Sequence, residues 1–156
     1  PVQKIKSFVL GGHGDSMVAM LGSTFVEGRK ISDLIKEGKI KKERLDAIVD
    51  RTKKGGAEIV KFLEKGSAFY APAASGVQMA ESYLNDQKKQ LPCAAYLNGE
   101  YGVKDLYAGV PVIIGKNGVE KIVEIQLTNE EKKSFDNSIK SVQELFNAAK
   151  KIDSSL

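Results

Sequence analysis

One histidine, one cysteine and no tryptophan leave this sequence few side chains for specialised chemistry. Cys93 has no second thiol for an internal disulfide, which fits a reducing, cytoplasmic location. One histidine and one distant cysteine cannot assemble a zinc site, so no metal is expected. Apolar runs are short. The longest, such as Val110 to Ile114, fall far below the roughly 20 residues that cross a bilayer, so no membrane partner is expected. The opening Pro1-Val2-Gln3-Lys4-Ile5-Lys6 lacks the apolar centre of a signal peptide. A start at proline rather than methionine suggests that something upstream was removed. Gly14-Asp15-Ser16-Met17-Val18 is not a Gly-x-Ser-x-Gly nucleophile elbow. Neither a Gly-x-x-x-x-Gly-Lys-Ser/Thr phosphate loop nor a strand followed by Gly-x-Gly-x-x-Gly occurs.

What is there suits one globular domain of 156 residues, 42% apolar and 28% charged. The net charge is +4, from 24 basic and 20 acidic side chains. Much of the basic charge lies in Lys36 to Lys54, interleaved with Glu37, Glu43, Asp46 and Asp50. Interleaved signs describe a solvated helix face, not a nucleic-acid patch. The basic residues are also not interleaved with aromatics that could stack bases. A non-enzymatic basic binding domain is the rival from another class, and salt-dependent binding to plain duplex would expose it.

Along the chain, Ser7-Phe8-Val9-Leu10 predicts a short buried strand running into Gly11-Gly12-His13-Gly14-Asp15-Ser16. Asp15 or Ser16 is expected to cap a short helix from Met17 to Gly22. Phe25 to Ile31 reads as a strand or irregular edge, and Ser32 to Lys36 as one helical turn ended by Gly38. Leu45, Ile48, Val49, Ile59, Val60 and Leu63 form a helical stripe within Lys41 to Glu64, closed by Gly66. Gly55-Gly56 inside it predicts a kink or close packing against a neighbour. A second helix starts near Pro72, is expected to bury Val77, Ala80 and Leu84, and stops at Asn85-Asp86.

The period then changes. Leu91 to Leu97, Leu106 to Ile114 and Val119 to Leu127 read as three strands of an antiparallel meander, punctuated by Asn98-Gly99 and Asn117-Gly118. Thr128 and Glu131 form a capping box. The helix it opens is expected to bury Phe135, Ile139, Val142, Phe146 and Ala149. Helices, then a meander, then a long terminal helix make an α+β domain.

His13 is the one proton-transfer candidate. A lone histidine is commonly structural, held by bulky neighbours. This one stands among Gly11, Gly12 and Gly14 at a strand end, where a loop presents a side chain. Imidazole titrates near pH 6.5 in its unperturbed state, so it gives and takes a proton at neutral pH. A proton carrier without a cofactor site looks like half of a machine.

Val9-Leu10-Gly11-Gly12-His13-Gly14-Asp15-Ser16-Met17-Val18 resembles the active-site segment of the lactate and malate dehydrogenase family. Lys65-Gly66-Ser67-Ala68-Phe69-Tyr70-Ala71-Pro72-Ala73-Ala74-Ser75 resembles that family's substrate-pocket helix entry in its malate form, where lactate enzymes usually carry threonine in place of Ala68. Arg51 to Val60 and Gly109 to Gly115 are similar to it too, so the resemblance spans essentially the whole chain. It implies that residues 1–156 are the substrate-binding C-terminal domain, without the N-terminal Rossmann domain that mainly binds NAD. It implies that His13 is the general acid/base between malate and oxaloacetate, and that Ala68 and Pro72 line the pocket. The family's carboxylate-binding arginine and the aspartate that orients the histidine precede this chain. Asp15 is read as a helix cap and not as that aspartate. A homo-oligomer, dimer or tetramer, is implied, with Gly55-Gly56 at a packing or subunit contact. Lactate dehydrogenase is the nearest alternative.

Overall fold

Alternation of apolar and polar side chains from Lys89 onward builds the sheet on which this molecule rests. The computed structural model describes residues 1–153. In chain order, its strands are β1 (Ile5–Lys6), β2 (Val9–Gly11), β3 (Met17–Ala19), β4 (Phe25–Val26) and β5 (Arg29–Lys30). Helices α1 (Ile31–Lys36), α2 (Lys42–Leu63) and α3 (Tyr70–Leu84) follow. Strands β6 (Lys89–Asn98), β7 (Lys104–Gly115) and β8 (Gly118–Ile122) lead to helix α4 (Asn129–Ile152). The α+β class stands, with every strand pairing antiparallel.

Strands β6, β7 and β8 form the expected meander. In β6, Leu91, Cys93, Ala95 and Leu97 point inward while Pro92, Ala94 and Tyr96 point out. Leu106, Ala108, Val110, Val112 and Ile114 of β7 join the inner face. Phe135 of α4 packs onto this layer with no exposed surface, its ring 5.4 Å from that of Tyr101. Burial of a side chain that size removes enough apolar area to stabilise the fold by about 2–3 kcal/mol. Ile139, Val142 and Phe146 continue the stripe, partly buried.

The capping box forms as read. Thr128 Oγ1 accepts the Glu131 N–H at 3.2 Å, and Glu131 Oε2 accepts the Thr128 N–H at 2.9 Å. The other oxygen of Glu131 accepts the Gly22 N–H at 2.7 Å, so one buried carboxylate both starts α4 and ties it to the N-terminal region. That second link was not legible locally.

Several expectations are corrected. Met17 to Gly22 is not a helix. Met17–Ala19 is strand β3, paired with β2 in the register Val9↔Ala19, Leu10↔Val18 and Gly11↔Met17. Two 3-10 turns, Gly14–Ser16 and Leu21–Ser23, flank it. Val18 is buried beside Leu10, and pairing with β2 overrides a weak helical preference. Five short strands therefore precede the helices, and the main sheet has the order β3-β2-β7-β6 with β8 on β7. A separate small sheet, β1-β4-β5, holds Phe25 to Lys30 as a tight hairpin turning at Glu27-Gly28. The third meander strand stops at Ile122, short of Leu127, and the next residues are held by Tyr101, whose hydroxyl donates to the Val123 carbonyl at 2.7 Å.

Helix α3 starts at Tyr70, which puts Pro72 in its first turn, but it does not bury Val77, Ala80 or Leu84. Val77 and Leu84 are 58% and 76% exposed; the one residue of α3 that is fully inside is Ser82, which donates to the Ile114 carbonyl at 2.7 Å. On α2 only Leu45 is buried, and Ile48, Ile59, Val60 and Leu63 are exposed. The helix runs unbroken through Gly55-Gly56, and a Cβ on either would meet nothing within 4 Å. Close packing of those glycines does not occur within this chain.

Candidate active site

The His13 loop is the connection of a β-hairpin, β2 to β3, and three glycines let it take that shape. Gly11 and Gly14 have φ of +87° and +70°, conformations in which a side chain is strained. His13 itself is extended, at φ −93° and ψ 153°, and begins the 3-10 turn Gly14–Ser16. No side chain caps that turn, and Asp15 lies inside it, exposed; the charge of Lys54 is favoured first by its hydrogen bond to Asp50 and only last by Asp15. The expected capping role of Asp15 is therefore not found. The turn rests against α2.

Behind the loop the structure is tight. The Gly12 N–H donates to Ser138 Oγ of α4 at 2.7 Å. A Cβ at Gly11 would lie 2.2 Å from that same oxygen. Gly11 pairs with Gly109 of β7, where a Cβ would come within 2.6 Å of the Gly11 carbonyl oxygen. Both glycines are needed because two backbones and a helix converge on one point. In front, the loop is open. His13 is exposed, and a cavity of about 380 Å³ is lined by His13, Gly12, Met17, Cys93, Tyr107 and Val142, among others. The imidazole is not sealed in the core.

Ala68 is half-buried and Pro72 exposed, and neither lines the cavity at His13. The three predicted site residues are thus not gathered into one pocket by this chain alone. A second cavity, about 390 Å³, lies between α1, α2 and the start of α4. Part of its polar lining is already engaged: Lys42 donates to Asp46 at 2.7 Å and Glu131 is held by Gly22 and Thr128. Among the described residues no cluster of histidine, cysteine and carboxylates could hold a metal ion, and no helix is long and apolar enough to cross a membrane.

Cys93 faces the same cavity as His13 but is only 8% exposed, and burial pushes its thiol above the ordinary value. Thiolate is the reactive form, so Cys93 in the folded protein is expected to react with an aromatic disulfide reagent about tenfold or more slowly than in denaturant. Peptide mass spectrometry at Cys93 reads this, and equal rates would contradict it. The thiol's contribution to stability is present below the unfolded value and is lost as pH rises through the higher folded one.

Sequence reasoning missed Gly109 and Ser138. A signal existed for each. Gly109 interrupts an apolar strand, which marks close backbone approach. Ser138 lies three residues after Phe135 and four before Val142, on the buried stripe of α4. Within the Arg51 to Val60 segment, Arg51 makes a two-pronged pair with Glu58 at 2.8 and 3.0 Å, which holds the Glu58 carboxyl below its usual range on an open helix face.

Comparison with known proteins places this geometry. Residues 1–154 match the lactate/malate dehydrogenase, alpha/beta C-terminal domain. A malate dehydrogenase of Pelagibacter ubique (strain HTCC1062) is 64% identical over 156 residues, 100% of this chain and 49% of that protein. The crystal structure of Cryptosporidium parvum malate dehydrogenase superposes with a TM-score of 0.93 at 44% identity, covering 97% of this chain and 48% of that one. Lactate dehydrogenase from Eimeria maxima with NADH and oxamate gives 0.94 at 41% identity, covering 99% and 48%. The chain spans about half the length of the relatives it matches.

Proposed function

We propose, because the chain belongs to the lactate/malate dehydrogenase family, that it is the C-terminal, substrate-binding half of an NAD-dependent malate dehydrogenase with His13 as its acid/base. The observation that carries this reading is the presentation of His13. Its loop is fixed from behind by Gly109 and Ser138, while the imidazole stands exposed at a cavity in front.

Oxidation of malate to oxaloacetate removes a hydride from the carbon bearing the hydroxyl and a proton from that hydroxyl. NAD, when bound, takes the hydride. A neutral His13 imidazole takes the proton, and in the reverse direction the imidazolium returns it to the keto oxygen of oxaloacetate. A loop anchored on a sheet and a helix holds the accepting nitrogen in one place, so little orientational freedom is lost at the moment of transfer.

Among the described residues the glycine loop at His13 does not have the form of a dinucleotide loop. It passes from strand to strand and opens no long helix whose amides would receive a pyrophosphate. The residues that hold NAD are assigned to an upstream domain, as is the arginine that clamps the substrate carboxylate. Ala68 and Pro72 are assigned to the pocket wall once that domain is in place. Helices α2 and α3 carry exposed apolar side chains, including Phe62, Val77 and Leu84. They are assigned to contacts with the other half and with a second subunit. Preference for malate over lactate is supported by the run from Ala68 to Ser75 and by the Pelagibacter relative.

Full-length protein is expected to form NADH from malate and to use lactate poorly, whereas the 156-residue chain alone is expected to do neither. Absorbance of NADH measures both. A full-length protein that prefers lactate, or an isolated chain that turns over malate, would overturn the reading.

A further inference from the structure

The peptide that precedes His13 is gripped from two sides by residues outside its loop. Ser138 is 2% exposed, and its hydroxyl oxygen accepts the Gly12 N–H at 2.7 Å across 126 residues of sequence. That oxygen occupies the space where Gly11 would carry a Cβ, so helix α4 abuts the backbone there. On the other side, Gly11 meets β7 at Gly109. One turn further along α4, Val142 lies 3.3 Å from where Gly12 would carry a Cβ and also lines the His13 cavity.

We infer that Ser138 is a positioning residue for His13, fixing the direction of the Gly12–His13 peptide and through it the place of the imidazole. This rests on the reading of His13 as the proton carrier. The physical reason lies in the glycines. Gly11 and Gly12 have no Cβ to restrict their rotation, so the loop sequence permits many peptide orientations. Its neighbours must choose one. The hydrogen bond to Ser138 makes that choice, because a partly buried N–H turned away from it finds no equal partner. Within the loop, the Ser16 hydroxyl donates to the His13 carbonyl at 3.3 Å, a long bond on the far side of His13 from the Gly12 peptide, which it leaves free. With Ser138 gone, the Gly12 peptide is released to rotate and His13 moves with it. A displacement of about 1 Å is enough to cost proton transfer about a hundredfold.

The test uses the full-length enzyme with Ser138→Ala, Ser138→Cys and His13→Asn beside the parent. Cysteine keeps the branching of serine with a larger atom that is a weaker acceptor, so it weakens the hydrogen bond without removing the side chain. Expected is a fall in kcat of about ten- to a hundredfold for Ser138→Ala and a smaller fall for Ser138→Cys, with KM for NAD unchanged. Amide hydrogen exchange at Gly12 is expected to quicken in the same order. A role in stability alone would lower the melting temperature and leave kcat of the folded enzyme and its order across the series unmoved. Parental kcat in Ser138→Ala, or unaltered exchange at Gly12, overturns the inference while the reading of His13 stands. A parent without malate activity, or a His13→Asn enzyme as active as the parent, overturns that reading instead, and Gly12 exchange then still decides whether Ser138 holds the loop. Should Ser138→Ala fail to fold, Ser138→Cys carries the comparison.

Discussion

His13→Asn is expected to lower turnover of malate by the full-length enzyme about a hundredfold or more, with NADH binding nearly unchanged. Asparagine has similar bulk and can donate a hydrogen bond, yet it cannot accept the hydroxyl proton at neutral pH. A general base in this position supplies roughly 10²–10⁴ in rate, and a hundredfold corresponds to about 2.7 kcal/mol of barrier. No second side chain stands ready to replace it. This is the sole histidine of the chain, and Cys93, which shares the cavity, is buried with its thiol held in the protonated form. Asp15 is exposed within the following 3-10 turn, and its carboxylate has no bond to the imidazole. The substitution leaves the loop intact, because the hairpin is held by Gly11, Gly12, Gly109 and Ser138 and not by the imidazole. Steady-state rates and a fluorescence titration with NADH give the two numbers. Turnover within a few-fold of the parent would remove His13 from the mechanism.

Gly109→Ala is expected to be strongly destabilising, at about 3 kcal/mol of stability or more. The added Cβ would sit 2.6 Å from the Gly11 carbonyl oxygen and 3.6 Å from its nitrogen. Both are backbone atoms, so no rotamer change relieves the clash. Gly11↔Gly109 is the ladder pair that joins strands β2 and β7. Parting them pulls the His13 hairpin off the main sheet and opens the wall formed by Leu10 and Val110, which are fully or almost fully buried. Activity is therefore expected to fall together with stability, in contrast to His13→Asn, which spares stability. Urea unfolding checks this, and a midpoint equal to that of the parent would show that β2 is free to move.

Local rules carried the sequence a long way. The capping box at Thr128 and Glu131, the stripe through Phe135 and Ile139, and the two Asn-Gly turns each involve residues a few positions apart, so propensity and periodicity act without help from the rest of the chain. The glycine setting of His13 is likewise a local property, and it marked the loop as one that presents a side chain. The reading failed where a segment's state depends on its neighbours. Met17–Ala19 is short and ambiguous, and its pairing with β2 made it a strand. Val77 and Leu84 have the spacing of a buried face, yet α3 finds no cover for them in this chain.

The amino-acid order by itself determined the meander, the long helices and the glycine setting of the one histidine, because these follow from chemistry confined to neighbouring residues. Only the folded chain decided that a hairpin carries that side chain, that α4 and β7 grip it from behind, and that its imidazole faces open space. Those facts depend on contacts such as Gly12 with Ser138 and Gly11 with Gly109, which no local preference encodes and which packing of the whole core brings together.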